Sequence, residues 1–452
     1  MTPPLRFAAA TSAFQVEGSP EADGRGVSIW DTFCARPGRI ADGSDARVAC
    51  DSYRRWPSDL DLLAGLGVDA YRFSVSWPRV QPAGSGPAEP RGLDHYERVV
   101  DGLLERGLAA HVTLYHWDLP QPLEDAGGWP ARDTAARFAD YARLVAERLG
   151  DRVERWGTIN EPWVVAFLGY AAGVHAPGRQ NPVAAFEAAH HLLLAHAWGA
   201  RALREVDPGL DVGIVLNPTT VLVDDEQAFE AGELVDAEQN GLWLDALRDG
   251  RYPSLLGDVA PVLADSRLVR DGDLEAIRGS ASWLGVNYYT PLRIAGEGPG
   301  TPGPGQEPEA FPGAGPFFPV PQGELTSMGW EVEPSGLRDL LDRLHAWDPH
   351  LPLHITESGV ALPDERRRPD GTIDDVARID YLRRHLAVVD QSRERGVDVR
   401  TYTVWSLLDN FEWAMGYGPT FGLVEVDRAT MQRRPKASYR WLADEIARRR
   451  RD

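Results

Sequence analysis

Cysteine is nearly absent from the 452 residues: only Cys34 and Cys50 occur, and no third cysteine or nearby histidine cluster completes the spacing of a metal site. We therefore expect two buried free thiols, no bound metal and no other cofactor. Acceptor sequences for N-glycosylation are also missing, because Pro218 blocks the candidate at Asn217. Both features predict a protein of the reducing cytoplasm.

Long apolar runs and an excess of positive charge are missing as well. No stretch reaches the roughly 18 consecutive apolar residues of a membrane-spanning helix, and the amino terminus lacks the basic start and apolar run of a secretion signal. The formal net charge of -21 repels phosphate backbones and anionic lipids. These absences predict no membrane and no nucleic-acid partner, favour a neutral small molecule, and leave a homo-oligomer open.

Short runs of β-forming residues alternate with long amphipathic stretches along the chain, which is the pattern of a parallel sheet crossed by helices. We identify eight runs, which begin at Leu5, Asp69, Ala109, Val153, Asp211, Ser282, Leu351 and Val399. Eight strands are the number that closes a TIM barrel. The sequence therefore predicts an α/β fold, a single (β/α)8 TIM barrel with elaborated βα loops, in which residues 1–452 form one domain.

Four of the intervening stretches show the apolar stripe of a helix that packs against a barrel wall. They lie before Val68 and from Leu93, Asp133 and Val376. In the stretch from Asp133, we expect this residue to cap the helix and Gly150 to end it. The predicted stripe of this helix consists of Phe138, Tyr141, Leu144, Val145 and Leu149.

Residues 295–323 are rich in glycine and proline, a composition that is typical of a flexible linker between domains. Two predicted strands still follow this segment, so a linker here would interrupt the barrel. We therefore interpret the segment as a long loop on the rim of the barrel that lines the entrance of the site.

Polar and aromatic side chains gather where the predicted strands end, which is the catalytic face of a TIM barrel. They are Gln15, Glu17, Arg72, His116, Trp117, Asp118, Asn160, Glu161, Asn287, Tyr288, Tyr289, Glu357, Trp405, Glu412 and Trp413. Each one alone has a structural explanation, such as a buried ion pair or a tryptophan that fills volume. Together they predict a pocket for a neutral, polyhydroxylated ligand, with indole rings stacked on a sugar.

Two of these residues are glutamates in similar settings: Glu161 in the stretch TINEPW and Glu357 in the stretch ITESG. Strands four and seven lie on opposite sides of a barrel mouth, so the two carboxylates can face each other across a bound sugar. In glycoside cleavage, one such group protonates the leaving oxygen and the other meets the positive charge at the anomeric carbon. A carboxyl separation of about 5 to 5.5 Å gives retention and about 6.5 to 9.5 Å gives inversion, and the residues alone leave this choice open.

Across almost its whole length, the chain resembles glycoside hydrolase family 1, the β-glucosidase family. The resemblance rests on ten motifs in order: FQVEG, SIWDTF, ACDSY, YRFSVSWPR, TLYHWDLPQPLEDAGGW, TINEPW, GVNYYT, MGWEVEPSGL, ITESG and WSLLDNFEWAMGY. It implies a retaining β-glucosidase that releases terminal non-reducing β-D-glucose through a covalent glycosyl-enzyme intermediate. It further implies that Glu161 is the acid/base and that Glu357 is the nucleophile.

The same resemblance assigns roles to the residues around the two glutamates. Substrate contacts are expected from Gln15, His116, Trp117, Asn160, Asn287, Tyr289, Trp405, Glu412 and Trp413, and support of the nucleophile from Arg72 and Tyr289. The Glu412 carboxylate would repel a sugar 6-phosphate. The expected substrates are therefore unphosphorylated β-glucosides or cello-oligosaccharides, with galactosides or fucosides as side substrates.

Two positions depart from the pattern of the family. Ser358 replaces the usual asparagine after the nucleophile, where we expect a weaker hydrogen bond, and Thr420 replaces an arginine, which removes a cation near the loop after strand eight.

Two alternatives to simple hydrolysis stay open. One is a transglycosylating β-glucosidase that uses the same residues; the other is a sugar-binding barrel without turnover, which the intact Glu161 and Glu357 disfavour.

Overall fold

The computed structural model describes residues 3–298, 300–362 and 366–451. In these ranges, eight parallel strands close into a barrel. The strands are β1 (Arg6–Ala10), β2 (Ala70–Ser74), β3 (Ala109–Tyr115), β4 (Arg155–Asn160), β5 (Val212–Leu216), β6 (Leu284–Tyr288), β7 (Leu353–Ser358) and β8 (Val399–Trp405). Each strand pairs with its neighbours in the chain, and β1 pairs with β8. The eight predicted strands and the TIM barrel are confirmed.

A main helix follows each barrel strand in the chain. These helices are α1 (Ser52–Leu66), α2 (Pro90–Glu105), α3 (Arg132–Leu149), α4 (Pro182–Val206), α5 (Leu242–Asp249), α6 (Pro334–Trp347), α7 (Val376–Glu394) and α8 (Ala437–Arg449). They include the four helices that the apolar stripes predict. Strand and helix therefore alternate as a (β/α)8 barrel requires.

Shorter elements elaborate the connections between strands and helices. Short α-helices span Ala13–Val16, Ile29–Cys34, Trp77–Val80, Gln121–Asp125, Phe229–Asp236 and Asp273–Ile277. Turns of 3-10 helix span Ala22–Gly24, Glu226–Ala228, Ser254–Leu256, Pro261–Ala264, Pro308–Ala310 and Trp413–Met415, and π-helical stretches span Val164–Ala172 and Ala237–Gly241. Small sheets are formed by Val221–Val223 with Leu292–Ala295 and Phe318–Pro319, by Arg366–Arg367 with Ile373–Asp374, and by Val424–Val426 with Arg433–Pro435.

Helix α3 corrects one prediction about its own start. The helix begins at Arg132 after Ala131, so Asp133 is not the cap but lies in the first turn. There its carboxylate complements the helix dipole and accepts a hydrogen bond of 3.0 Å from Arg137. Four of the five predicted stripe residues are buried, whereas Leu144 is half-buried. The position of Gly150 at the end of the helix is confirmed.

A buried aromatic contact ties helix α3 to the catalytic ends of two strands. The ring of Tyr141 stacks on Trp77 with centroids 4.9 Å apart. Its hydroxyl group lies 2.9 Å from two carbonyl oxygens. One belongs to Val75, which follows β2, and the other to Leu114, near the end of β3. A hydroxyl has one proton, so one of these contacts is the donated hydrogen bond at any moment. The contact gives the buried Tyr141 hydroxyl a hydrogen-bond acceptor on the backbone.

The closing register places residues of three strands at the same level of the barrel. Ala10 at the end of β1 lies opposite Trp405 of β8 on one side and opposite Arg72 of β2 on the other. The small side chains of β1 leave room inside the barrel for these two large neighbours. Arg72 and Trp405 are consequently presented at the mouth, beside the ends of the other strands.

The two cysteines are free thiols. Cys50 is buried as predicted, but Cys34 is only half-buried. Burial raises the pKa of the Cys50 thiol to about 12, so it is uncharged at neutral pH.

Nowhere in the described ranges do three or more His, Cys, Asp or Glu side chains converge in a way that could hold a metal ion. Among the described helices, none combines the length and apolar composition needed to cross a lipid bilayer.

Glu17 lies behind the barrel mouth and not in the cavity. Its carboxylate accepts hydrogen bonds from Arg79 Nε at 2.5 Å and from the Tyr96 hydroxyl at 2.8 Å. The guanidinium group of Arg79 also donates to the Gly18 carbonyl oxygen at 2.6 Å and lies 4.0 Å above the Tyr53 ring. Burial raises the pKa of Glu17, but Arg79, His95 and the hydrogen bond from Tyr96 together outweigh this effect, so the pKa of Glu17 is lowered.

We predict that Arg79→Leu lowers the free energy of unfolding by about 3 to 5 kcal/mol, because it leaves the buried Glu17 carboxylate without its cation. Urea unfolding at neutral pH measures the change. Arg91→Leu is the matched control, since Arg91 pairs with Glu89 on the surface and such exposed pairs contribute little. Equal losses in the two variants would contradict the prediction.

Candidate active site

A cavity of about 450 Å³ opens at the carboxyl ends of the barrel strands, a volume typical of a site for a small ligand. Nine of the predicted site residues line it: His116, Trp117, Glu161, Asn287, Tyr289, Glu357, Trp405, Glu412 and Trp413. The other three, Gln15, Arg72 and Asn160, are buried and contact the lining residues through hydrogen bonds. The structure therefore brings all twelve predicted residues together.

The backbone is irregular where the two glutamates are presented. The pairing of β7 with β6 shifts register between Ile355 and Glu357, and the pairing of β4 with β5 shifts before Asn160. Glu161 itself has a left-handed φ of 47°. Such irregularities re-aim side chains at the ends of strands, and a left-handed conformation is uncommon for residues other than glycine.

Both oxygens of the Glu357 carboxylate are held by hydrogen bonds. Arg72 NH1 donates to Oε1 at 2.5 Å, and the Tyr289 hydroxyl donates to Oε2 at 2.5 Å. The ion pair with Arg72 is almost completely buried. Since a buried charge requires a compensating partner, the Arg72 guanidinium group compensates the Glu357 carboxylate and fixes its orientation.

A chain of amide groups connects this ion pair to the second glutamate. Arg72 NH2 donates to Asn160 Oδ1 at 2.6 Å, and the same oxygen accepts from Asn287 Nδ2 at 3.1 Å. Asn287 Nδ2 also donates to Glu161 Oε1 at 2.5 Å. Glu161 and Glu357 thus face the same cavity and are tied together through groups on β2, β4 and β6.

The two glutamates differ in their electrostatic surroundings. Burial raises the pKa of Glu161, and the negative charge of Glu357 raises it further, while Asn287 and Arg72 lower it only in part. Glu161 lacks the direct contact with a cation that Glu357 has. At neutral pH the pair therefore consists of a protonated acid and a charged carboxylate, which is the division of roles that glycoside cleavage uses.

A third carboxyl group, that of Glu412, lies farther along the cavity wall. Gln15 Nε2 donates to it at 3.3 Å, and Gln15 also donates to Asn410 Oδ1 at 3.0 Å. Desolvation of the carboxyl group raises the pKa of Glu412 to about 8, and the charge of Glu357 contributes to this shift. Glu412 therefore presents a hydrogen-bonding group to the cavity, and the buried Gln15 holds it in place from behind.

Aromatic rings form another part of the wall. Trp413 stacks on the buried Phe14 with centroids 5.8 Å apart and an interplanar angle of 5°. His116 lies nearly parallel to Trp405 and to Trp413, at centroid distances of 5.8 and 6.0 Å. Burial, together with the nearby charge of Arg72, lowers the pKa of His116. It is therefore neutral and able to exchange hydrogen bonds with uncharged hydroxyl groups.

Three residues that the sequence analysis placed at the strand ends lie elsewhere. Glu17 pairs with Arg79 behind the wall, and Tyr288 donates its hydroxyl to the Glu333 carbonyl oxygen at 2.6 Å. Asp118 is buried outside the cavity. Neighbouring side chains of a strand point to opposite faces, which accounts for Tyr288 beside Asn287. Glu17 and Asp118 lie beyond the ends of β1 and β3, where strand alternation does not apply.

The cavity also contains residues that the sequence analysis missed. They are Phe33, Arg39, Trp163, His175, Asn217, Gln239, Trp330 and Phe421, among others. Asn217 directly follows β5, so the rule that selected the other strand ends applies to it as well. Trp330 lies within the quoted motif MGWEVEPSGL, but the remaining residues come from loops and short helices that no strand pattern identifies.

The two departures from the family pattern have clear surroundings. Ser358 Oγ accepts a hydrogen bond of 3.1 Å from the Tyr402 hydroxyl inside the barrel. Near Thr420, the guanidinium group of Arg378 donates to the Thr420 carbonyl oxygen at 2.9 Å and pairs with Asp375. The region therefore retains a cation, which comes from helix α7 and not from position 420.

Comparisons with known proteins agree with this geometry. The sequence pattern of glycosyl hydrolase family 1 matches residues 4–451. A β-glucosidase of Agrobacterium sp. is 43% identical over 443 residues, which cover 97% of this chain and 93% of that protein. Thermostable β-glucosidase B of Thermobispora bispora is 46% identical over 447 residues, which cover 98% and 89%. The β-glucosidase of Thermotoga maritima in complex with deoxynojirimycin has a TM-score of 0.91 at 38% identity, with 99% of each chain covered.

We predict that Glu412→Gln becomes increasingly more stable than the unchanged protein as the pH rises from 5 to 8. The pKa of Glu412 is higher in the folded protein than its ordinary value of 4.5, which we take for the unfolded chain, so the folded protein binds this proton more tightly. The free energy of unfolding therefore falls as the pH rises from 5 to 8. The glutamine of the variant cannot ionise, so the variant does not undergo this decrease in the free energy of unfolding, which is at most about 1.4 kcal/mol per pH unit. Urea unfolding at four pH values measures the difference.

The exposed Glu394 provides the matched control for this experiment, because Glu394→Gln removes a carboxylate that is already in water. Its stability difference from the unchanged protein is expected to vary little with pH. A difference for Glu412→Gln that is constant between pH 5 and 8 would contradict the raised pKa.

Proposed function

Because the chain belongs to glycosyl hydrolase family 1, we propose that it is a retaining β-glucosidase that releases terminal non-reducing β-D-glucose. The observation that carries this proposal is the unlike pair in one cavity, a proton-bearing Glu161 and a Glu357 carboxylate held by Arg72 and Tyr289. Acid and nucleophile are the two groups that a retaining mechanism requires.

In the first step, Glu357 Oε attacks the anomeric carbon while the bond to the glycosidic oxygen breaks. Glu161 transfers its proton to that oxygen, so the aglycone leaves as a neutral alcohol and glucose stays bound to Glu357 as an ester. Arg72 and Tyr289 orient the attacking carboxylate, and fixed orientation lowers the entropic part of the barrier.

In the second step, the same two residues exchange tasks. Formation of the ester removes the charge of Glu357, which is one cause of the raised pKa of Glu161. Glu161, now without its proton, takes a proton from water, and the resulting hydroxide oxygen bonds to the anomeric carbon. The ester bond breaks, Glu357 regains its charge, and both inversions together give retention.

The surrounding residues support an uncharged sugar as the bound group. Glu412, which Gln15 holds in place, offers hydrogen bonds to outer hydroxyl groups, His116 is neutral, and Trp405 and Trp413 line the cavity with their rings. We propose unphosphorylated β-glucosides and cello-oligosaccharides as substrates, with galactosides or fucosides as side substrates. The cytoplasmic location and the oligomeric state stay predictions from the sequence.

A chromogenic β-glucoside tests the proposal against a barrel that binds sugar without turnover. Release of the aglycone supports hydrolysis, whereas binding without release would favour the rival function. Product analysis with an added alcohol measures how much glucose passes to acceptors other than water, which is the transglycosylating alternative.

We predict that Glu357→Ala lowers kcat about 10⁴-fold or more, because the attacking oxygen is lost. Added azide then fills the vacated space, attacks once and yields the α-configured glucosyl azide from an activated aryl glucoside. NMR of the product measures its configuration. A folded variant that azide does not rescue would contradict the role of Glu357.

We predict a different result for Glu161→Ala, which lacks the proton donor of the first step and the base of the second step but keeps the nucleophile. With 2,4-dinitrophenyl β-glucoside, whose leaving group needs no proton, the first step is largely retained; with phenyl β-glucoside, it falls about 10² to 10⁴-fold. Pre-steady-state release of the phenol measures both rates. With this variant, azide gives the β-configured product, so the opposite configurations from the two variants distinguish the acid from the nucleophile. Equal losses of rate on both substrates would contradict the role of Glu161 as the acid.

A further inference from the structure

The outer part of the cavity has a wall that comes from the glycine- and proline-rich segment. Residues Pro304 to Glu307 line the cavity beside Trp330. The Pro304 carbonyl oxygen accepts a hydrogen bond of 3.0 Å from Trp330 Nε1, and Gln306 is buried with its amide oxygen 3.3 Å from the Gly303 nitrogen. The wall is therefore built from specific contacts in spite of its composition.

This wall is joined to the part of the molecule that carries the acid. Phe311, which follows the 3-10 turn Pro308–Ala310, contacts the ring of Trp163 with centroids 5.1 Å apart. Trp163 comes two residues after Glu161. Since Glu161 protonates the glycosidic oxygen, the wall lies on the aglycone side of the scissile bond, away from the sugar contacts of Gln15 and Glu412.

Glu307 places a carboxylate in this wall without a cationic partner. Its Oε2 accepts a hydrogen bond of 2.8 Å from the Gly305 nitrogen. Among the described residues, no arginine, lysine or histidine forms an ion pair with it, whereas the nearby Glu331 is paired with Arg293 at 2.9 Å. Burial raises the pKa of Glu307, and the charge of Glu309 adds to the shift. An incoming ligand can supply the missing partner.

The other charged groups of the cavity do not neutralise Glu307. At neutral pH the raised pKa values of Glu161 and Glu412 keep these two carboxyl groups protonated, and the Glu357 carboxylate is paired with Arg72. Arg39 lines the outer cavity from the segment after β1, but it is exposed, and its charge is screened by water and salt. Among the described residues that line the outer cavity, Glu307 is therefore a carboxylate whose charge no neighbouring cation compensates.

We propose that Glu307 is a specificity-determining residue that selects aglycones by charge. It favours an aglycone with a cationic group or a hydroxyl donor and disfavours one with a carboxylate. This inference rests on the proposed function, because it assigns the outer cavity to the leaving group of a β-glucoside.

Three aryl β-glucosides test the inference: those of 4-(aminomethyl)phenol, 4-(hydroxymethyl)phenol and 4-(carboxymethyl)phenol. The methylene group insulates the phenol oxygen from the charge, so the three leaving groups are chemically similar. The measured quantity is the ratio of kcat/KM for the cationic substrate to that for the anionic substrate at pH 7. In the unchanged protein this ratio is expected to exceed one and to shrink as ionic strength rises.

Glu307→Gln keeps the shape of the side chain and removes the charge, and it is expected to lower the ratio about tenfold. Glu309→Gln is the matched control, since this glutamate is exposed two residues away, and its charge is expected to change the ratio less than about twofold. A ratio near one in the unchanged protein, or equal ratios in the Glu307→Gln and unchanged proteins, would overturn the inference.

The neutral substrate separates this inference from the proposed function. If the hydroxymethyl glucoside is cleaved but Glu307→Gln leaves the ratio of kcat/KM for the cationic and anionic substrates unchanged, the β-glucosidase proposal is supported and the proposed role of Glu307 is wrong. If none of the three glucosides is cleaved by the unchanged protein, the proposed function itself fails.

Discussion

The buried contact between Arg72 and Glu357 is the interaction on which the rest of the site depends. It crosses the barrel from β2 to β7, and its second guanidinium nitrogen holds Asn160 at the end of β4. Removing either partner leaves an uncompensated charge in a region from which water is excluded. Burial raises the pKa of Glu161, and the negative charge of Glu357 raises it further, while Arg72 lowers it only in part. The ion pair thereby orients the Glu357 carboxylate, and this carboxylate contributes to the protonated state of the facing acid.

Three residues of the site have a backbone conformation that is uncommon for residues other than glycine. Trp117, Glu161 and Trp413 all have left-handed φ angles, of 79°, 47° and 50°. Such conformations are costly for residues with side chains and persist where surrounding packing determines them. Here the packing is aromatic: Trp413 lies 4.6 Å from both Trp30 and Trp117, measured between ring centroids. A rigid tryptophan cluster therefore stabilises the wall that receives the sugar.

The strand pattern predicted the barrel and most of the site, and its failures have identifiable physical reasons. Polar residues at strand ends identify the catalytic face, but Glu17 and Tyr288 turn into the protein, where Arg79 and a backbone carbonyl satisfy them. The prediction that Asp133 caps its helix was wrong for a different reason, since the helix starts before this residue. Gln239 lies in a short π-helical stretch outside the barrel strands, so the strand pattern offers no rule that would place it in the cavity.

By itself, the amino-acid sequence determined the order of strands and helices and the chemical types of the residues at the strand ends, because alternating apolar patterns depend on local geometry alone. Tertiary structure decided which of two glutamates carries the proton, since a pKa depends on desolvation and on distances between residues far apart in the chain. It also decided that Glu307 faces the cavity. That position comes from the contacts of Pro304 with Trp330 and of Phe311 with Trp163, which no local pattern encodes.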